Sequence, residues 1–212
     1  MSVAVKICGV KTLETISAAA QCGAHYIGLV FYPRSPRHVR LEQAQALLRQ
    51  VPPNLLTVAL CIDPEDTLLQ ELSRLERLDM LQLHGTETPR RIAAMRSVWR
   101  KPVMKALSIA RGEDLTAATD YAPVVDQYLF DAKPPASSLP GGNGLAFDWQ
   151  LLAGQSFKHP WMLAGGLTPE NVSAAIKASG AKMVDVSSGV EDAPGHKSLT
   201  KIAAFCAAVK AA

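Results

Sequence analysis

No stretch of this 212-residue chain comes near the roughly 18–20 consecutive apolar residues that a bilayer span needs, so no membrane association is predicted. Cysteine is sparse. Cys8, Cys22, Cys61 and Cys206 lie far apart, with no CxxC and no Cys/His cluster, so no metal site is predicted. The N-terminus carries no signal-peptide pattern, and the thiols read as reduced and the chain as cytoplasmic. Excess charge is scarce too. A formal net charge of +3 does not indicate nucleic acid, yet it would not repel an anionic metabolite. No linker or compositional break divides the chain, so residues 1–212 are read as one domain, long enough to bury a large core without disulfides. Finally, no GxGxxG follows the first apolar run, which weighs against a doubly wound dinucleotide-binding sheet.

What the chain does have is alternation. Eight short apolar runs read as strands: VAVKIC at 3–8, YIGLVF at 26–31, LTVALCI at 56–62, MLQLH at 80–84, PVMKAL at 102–107, VVDQYLFD at 124–131, WMLA at 161–164 and MVDVS at 183–187. Helical stretches lie between them. Asp63-Pro64-Glu65, Thr88-Pro89-Arg90 and Thr168-Pro169-Glu170 each place a capping side chain before a proline suited to a first helical position. Gly23 and Gly180 stand where helices should end. Eight strand–helix units in this length predict an α/β protein, a single-domain (βα)8 TIM barrel.

Side chains alternate faces along a strand, which assigns directions. In the first strand Val3, Val5 and Ile7 share one face, predicted to meet the helices, while Ala4, Lys6 and Cys8 point into the barrel. In the fourth, Leu81 and Leu83 point out and Gln82 and His84 point in. Cys61 is placed on the barrel-facing side of the third strand, and Lys105 is read as the other inward lysine. Barrel enzymes keep their chemistry at the C-terminal strand ends, where Cys8 and Asp131 both fall. Residue type alone leaves each open: Cys8 as packing or as reactive thiol, Asp131 as acid or as turn residue. Lys6, on the face of Cys8, is a candidate cation to lower the thiol pKa.

Two further loops suggest ligand contacts. Gly165-Gly166 before a helix, and Ser188-Gly189 after the eighth strand, occupy the two loops from which barrels commonly build a phosphate site. Glycines there let backbone N–H groups reach phosphate oxygens. After the second strand, FYPRSPRHVR carries Arg34, Arg37 and Arg40 in a proline-braced segment suited to holding a planar carboxylate. The stretch 132–144, rich in Pro, Gly and Ser, is longer than an ordinary connection and is predicted to be a binding loop or lid.

The segments KICGVKT, GLVFYPRSPRHV, LQLHGTE, LFDAK with PGGNGLAFDW, LAGGLTPENV, and DVSSGVE with PGHK resemble, in order, the motifs of the phosphoribosylanthranilate isomerase family. The resemblance implies a (βα)8 barrel, the third step of tryptophan biosynthesis from chorismate, and a cofactor-free Amadori rearrangement of a small phosphosugar. It implies Cys8 as general base, Asp131 as general acid and Arg37 as ligand of the anthranilate carboxylate. Gly142 and Gly144 join Gly165, Gly166, Ser188 and Gly189 as phosphate-binding candidates, and Lys6, His84 and Asp185 are candidates for other substrate contacts. The family usually carries Thr or Ser where Asn143 stands, Asp at Ser198, and often a larger residue at Cys61. No nucleic acid or membrane partner is expected, and a monomer or homodimer is. The required chemistry agrees: opening an aldosylamine ring and moving its carbonyl need one acid and one base, with no metal or hydride carrier.

Overall fold

Strand runs of three to seven residues, each too short to bury itself, close on one another in chain order. The computed structural model describes residues 3–133 and 144–212. The barrel strands are β1 (Ala4–Cys8), β2 (Tyr26–Phe31), β3 (Leu56–Cys61), β4 (Met80–Leu83), β5 (Val103–Ile109), β6 (Gln127–Ala132), β7 (Trp161–Leu163) and β8 (Met183–Val186). They form a closed barrel in the order β1 to β8. Parallel pairing of Ala4 with Met183, Lys6 with Asp185 and Ile7 with Val186 shuts the seam between β1 and β8. The helices are α1 (Leu13–Gln21), α2 (Leu41–Leu48), α3 (Asp66–Ser73), α4 (Pro89–Met95), α5 (Ala117–Tyr121), α6 (Val172–Ser179) and α7 (Leu199–Lys210). No helix among the described residues is long and apolar enough to cross a membrane.

Two features depart from a plain alternation. Among the described residues between β6 and β7 the helical element is a 3-10 turn, Trp149–Leu152, started by the Asp148 carboxylate accepting from the Gln150 N–H. Between β8 and α7 lies a small antiparallel hairpin, β9 (Glu191–Ala193) and β10 (His196–Lys197). Gly195, at φ +78, turns it. The periodicity of the sequence did not predict this hairpin, whose strands are too short to alternate visibly.

The capping signals divide. Thr88 accepts from the Arg91 N–H with Pro89 at the first helical position, as predicted. Gly180 ends α6 in the left-handed region, and Gly23 follows α1 at φ +81. Asp63 is not a cap: α3 begins at Asp66, and the Asp63 carboxylate crosses to the Thr86 N–H at 2.8 Å. Thr168 starts a turn rather than a helix, accepting from the Glu170 N–H, and α6 starts at Val172.

Apolar burial splits into two concentric layers. The outer one, between strands and helices, includes Ile7, Leu29, Leu81, Leu83, Phe130 and Val184. The inner one fills the barrel with Met104, Ala106, Leu129, Met162 and Ala164. Pairing fixes each face: Leu60 lies beside the inward Gln82, so its neighbour Cys61 lies beside Leu83 and belongs to the outer layer. This corrects the expectation of an inward Cys61. Lys105 is also corrected. It pairs with Leu83 in register and points outward, where its ammonium meets the Glu87 carboxylate at 2.8 Å and the Gly85 carbonyl at 2.7 Å. A lysine in the apolar layer is tolerated because both charges are matched there.

Candidate active site

The C-terminal end of β1 presents Cys8, 3% exposed, into the barrel mouth beside Val30 and Leu60. One turn of pleat below it, Lys6 is fully buried inside the barrel, and its ammonium donates to Asp185 on β8 at 2.8 Å. Burial works against that ammonium, but Asp185 and Cys8 outweigh it and raise the Lys6 pKa. For the Cys8 thiol, burial dominates and pushes the pKa up, while Lys6 and Lys197 pull it down. Space for both groups comes from Gly28 on β2. A Cβ there would sit 2.9 Å from the Cys8 Sγ and 3.4 Å from the Lys6 Nζ. The absent side chain thus lets thiol and ammonium crowd against the same strand.

Across the barrel, Asp131 ends β6 facing inward. Its Oδ1 accepts from the Ala132 N–H at 2.8 Å, and Oδ2 lies 3.2 Å from the His84 Nε2. Gln82 donates through Nε2 to the His84 Nδ1 at 3.0 Å. With Nδ1 accepting, the ring proton stays on Nε2 and points at Asp131. Gln82, His84 and Asp131 thus form one chain of contacts from the barrel interior to its mouth, as the inward assignment of Gln82 and His84 requires.

The Arg37 side chain is brought beside Cys8 by close packing. Gly9, at φ +82, follows the thiol, and a Cβ on it would collide with the Arg37 Cδ at 2.7 Å. The guanidinium grips Glu191 with two parallel bonds, Nε to Oε1 and Nη2 to Oε2, each 2.8 Å. Lys197 donates to the Glu191 Oε1 at 2.7 Å and to the Ser187 carbonyl at 2.9 Å, while the Ser187 hydroxyl donates to the Cys8 carbonyl. Burial works to raise the Glu191 carboxyl pKa, but Arg37 and Lys197 overcome it and hold the group below its ordinary range. For Lys197 burial wins and its pKa falls despite Glu191. Glu191 was missed by the sequence reading. It lies 154 positions from Arg37 on the unpredicted hairpin, and no local pattern marks such a partner. The motif containing Lys197 was visible, but not this role.

A cleft opens at the ends of β6, β7 and β8. It brings together Asp131, Gly144, Gly165, Gly166, Asp185 and Ser188. Gly165 and Gly166 have positive φ, +85 and +62, and a Cβ on Gly166 would meet the Leu145 carbonyl carbon at 2.7 Å. Only glycine allows the 144–146 backbone to lie against this turn. Gly189 does not line the cleft; it packs behind, against the Leu167 carbonyl. Cys8 and Arg37 occupy the β1 and β2 side of the mouth rather than the cleft wall. Gly142 and Asn143 lie outside the described residues, as does most of the predicted loop 132–144. Among the described residues no group of three His, Cys, Asp or Glu side chains could hold a metal ion.

A parallel barrel with a buried thiol at one strand end, a carboxyl at another and a glycine-lined cleft between strand ends defines the class: a (βα)8-barrel enzyme of acid–base chemistry. Residues 5–208 match the family model of N-(5'phosphoribosyl)anthranilate (PRA) isomerase, and the chain belongs to that family. An N-(5'-phosphoribosyl)anthranilate isomerase from Cereibacter sphaeroides is 51% identical over 209 residues, covering 98% of this chain and 99% of that one. Its counterpart in Rhodospirillum centenum is 50% identical over 213 residues, all of both chains. The crystal structure of the Thermotoga maritima phosphoribosyl anthranilate isomerase superposes with a TM-score of 0.88 at 33% identity, covering 99% of this chain and 100% of that one. Another phosphoribosyl anthranilate isomerase was solved in complex with reduced 1-(o-carboxyphenylamino)-1-deoxyribulose 5-phosphate. It superposes at 0.84 with 31% identity, again over 99% and 100% of the two chains.

Proposed function

We propose that this enzyme isomerises N-(5'-phosphoribosyl)anthranilate to 1-(2-carboxyphenylamino)-1-deoxyribulose 5-phosphate, a step of tryptophan biosynthesis, with Cys8 as general base and Asp131 as general acid. The observation that carries the reading is the placement of Cys8 and Asp131 at the inward ends of β1 and β6, flanking one mouth. In the first step Asp131 gives a proton to the ribose ring oxygen as the bond from that oxygen to C1 breaks, and the anthranilate nitrogen becomes a protonated imine. Cys8, as thiolate, then removes the proton from C2, and the electron pair moves into the C1–C2 bond to give an enolamine. Ketonisation at C2 and reprotonation at C1 complete the exchange. One acid and one base suffice, so the reading needs no cofactor.

Gly144, Gly165, Gly166 and Ser188, with Gly142, are assigned to the phosphate end, and Arg37 to the anthranilate carboxylate, while Gly189 lets the loop pack against Leu167. Lys6, His84 and Asp185 stay with the reacting centre: Lys6 beside the thiol, His84 on the acid, Asp185 on Lys6 and in the cleft wall. Gripping both ends of the substrate spends binding energy on orientation of C1 and C2. The working enzyme is read as one domain acting on a small phosphosugar in the cytoplasm, as a monomer or homodimer. The direct test mixes the protein with freshly generated phosphoribosylanthranilate and follows anthranilate fluorescence. A catalysed loss is expected; a rate equal to the buffer blank would end the assignment.

Arg37 gives a narrower prediction. Arg37→Ala should lose roughly 2–4 kcal/mol in kcat/KM, the scale of a charge-assisted bidentate contact. Arg37→Lys should recover little, because an ammonium lacks the planar fork. A substrate analogue without the carboxylate should be processed equally by wild type and Arg37→Ala. A large remaining difference on that analogue would show that Arg37 acts elsewhere, for instance only as the partner of Glu191.

A further inference from the structure

Away from the catalytic mouth, a second thiol pair lies where the first and last helices meet. Cys22 is the residue that ends α1, and Cys206 sits on the buried side of α7 among Phe205 and Val209. Their sulfurs are 2.6 Å apart, closer than unbonded sulfurs rest, across a sequence separation of 184. All four cysteines are free thiols. Approach by about half an ångström would reach the bonded distance of about 2.05 Å. Cys22 is half-buried while Cys206 is buried, so one member of the pair meets solvent and the other waits behind it. The Lys210 ammonium stands at the same corner: a Cβ on Gly23, the next residue after Cys22, would lie 3.4 Å from its Nζ. Since α1 leads into the start of β2, this corner lies at the end of the barrel opposite to Cys8.

We propose that Cys22 and Cys206 are a reversible disulfide-forming pair that clamps α1 to α7 across the seam where the barrel closes, with a peroxide as oxidant. The Cys22 thiolate attacks one oxygen of hydrogen peroxide and the O–O bond breaks. The leaving hydroxide takes a proton, and Cys22 becomes a sulfenic acid. The Cys206 sulfur then attacks the Cys22 sulfur, the S–O bond breaks, and the hydroxyl leaves as water with the Cys206 proton. Two thiols and one peroxide give one disulfide and two waters. The environments favour this order. Hydrogen bonding from the Cys206 thiol outweighs burial and lowers the Cys22 pKa to about 7, whereas burial pushes the Cys8 and Cys61 thiols up. A link enclosing most of the chain removes much freedom from the unfolded state.

Peroxide treatment of the purified protein followed by alkylation and denaturing mass measurement tests this. The expected product has lost two hydrogens and two alkylation sites, and its peptide map joins Cys22 to Cys206. Dithiothreitol should restore the starting mass. The oxidised form should melt about 5–15 °C higher than the reduced form. Cys22→Ser, at a half-buried position, and separately Cys206→Ser, should abolish both the link and the thermal shift, with reduced-state turnover unchanged. Four results would overturn the proposal: over-oxidation of Cys22 without a link, a link through Cys8 or Cys61, a link between two chains, or a link with no change in melting.

Discussion

Replacing Cys8 by serine is expected to remove nearly all turnover, roughly 10²–10⁴-fold in kcat, the usual contribution of a positioned base. The choice of serine separates chemistry from packing. Cys8 contacts Val30 and Leu60 in a small apolar cluster and is almost fully buried, so a volume-preserving change disturbs the fold little, while a hydroxyl cannot take up the C2 proton as a thiolate can. Cys8→Ala should lose as much. The internal control is Cys61→Ala. That thiol is completely buried in the outer layer, facing helices rather than substrate. Its truncation should cost roughly 1 kcal/mol of stability and leave kcat as it is. Comparable losses of turnover at the two positions would strip Cys8 of its role.

The ionisation of Cys8 also sets a direction with pH. Burial raises the thiol pKa, and Lys6 and Lys197 only partly offset it. The base works deprotonated, so kcat/KM should rise as pH increases toward the Cys8 pKa and fall as pH drops below it. Because that offset is only partial, the limb should sit on the alkaline side of an ordinary thiol. The residual activity of Cys8→Ala should show no such limb.

The parts of this site that could be read in the sequence are those where polarity and strand phase agree. Lys6 and Cys8 alternate with Val5 and Ile7, and Gln82 and His84 alternate with Leu81 and Leu83, so each strand declares its inner face. LTVALC does not: Val58 and Leu60 on one face and Ala59 and Cys61 on the other are all apolar, and only pairing with Gln82 decides between them. Lys105 breaks the rule that polar means inward, because Glu87, from the loop after β4, supplies a buried partner in the outer layer. Asp63 had the spelling of a cap but takes φ 45 and turns its carboxylate to Thr86, a contact made across two strand ends. Glu191 is the same lesson at greater range. Its partners Arg37 and Lys197 come from opposite ends of the chain, and nothing in the charge pattern near any one of them names the others.

Asp131→Asn should lose roughly 10²–10⁴-fold in kcat, the range for a general acid, while affinity for the product stays near wild type. Asparagine keeps the size of the side chain and can still accept from the Ala132 N–H, the 2.8 Å bond that orients the carboxyl. It has no acidic proton to give to the ring oxygen. The binding measurement matters because Asp131 lines the glycine-rich cleft, and a variant that merely disordered the cleft would lose product affinity together with rate. His84 is the natural rival as donor, since its Nε2 points at the Asp131 Oδ2 from 3.2 Å. Asp185 is the next, although its Oδ1 is already engaged by Lys6. His84→Asn separates the first rivalry. If His84 only holds Asp131, the double variant with Asp131→Asn should lose little more than Asp131→Asn alone, because the two changes remove one function. If instead Asp131→Asn keeps most of its kcat while His84→Asn loses it, the acid is His84, and Asp131 is the residue that positions it.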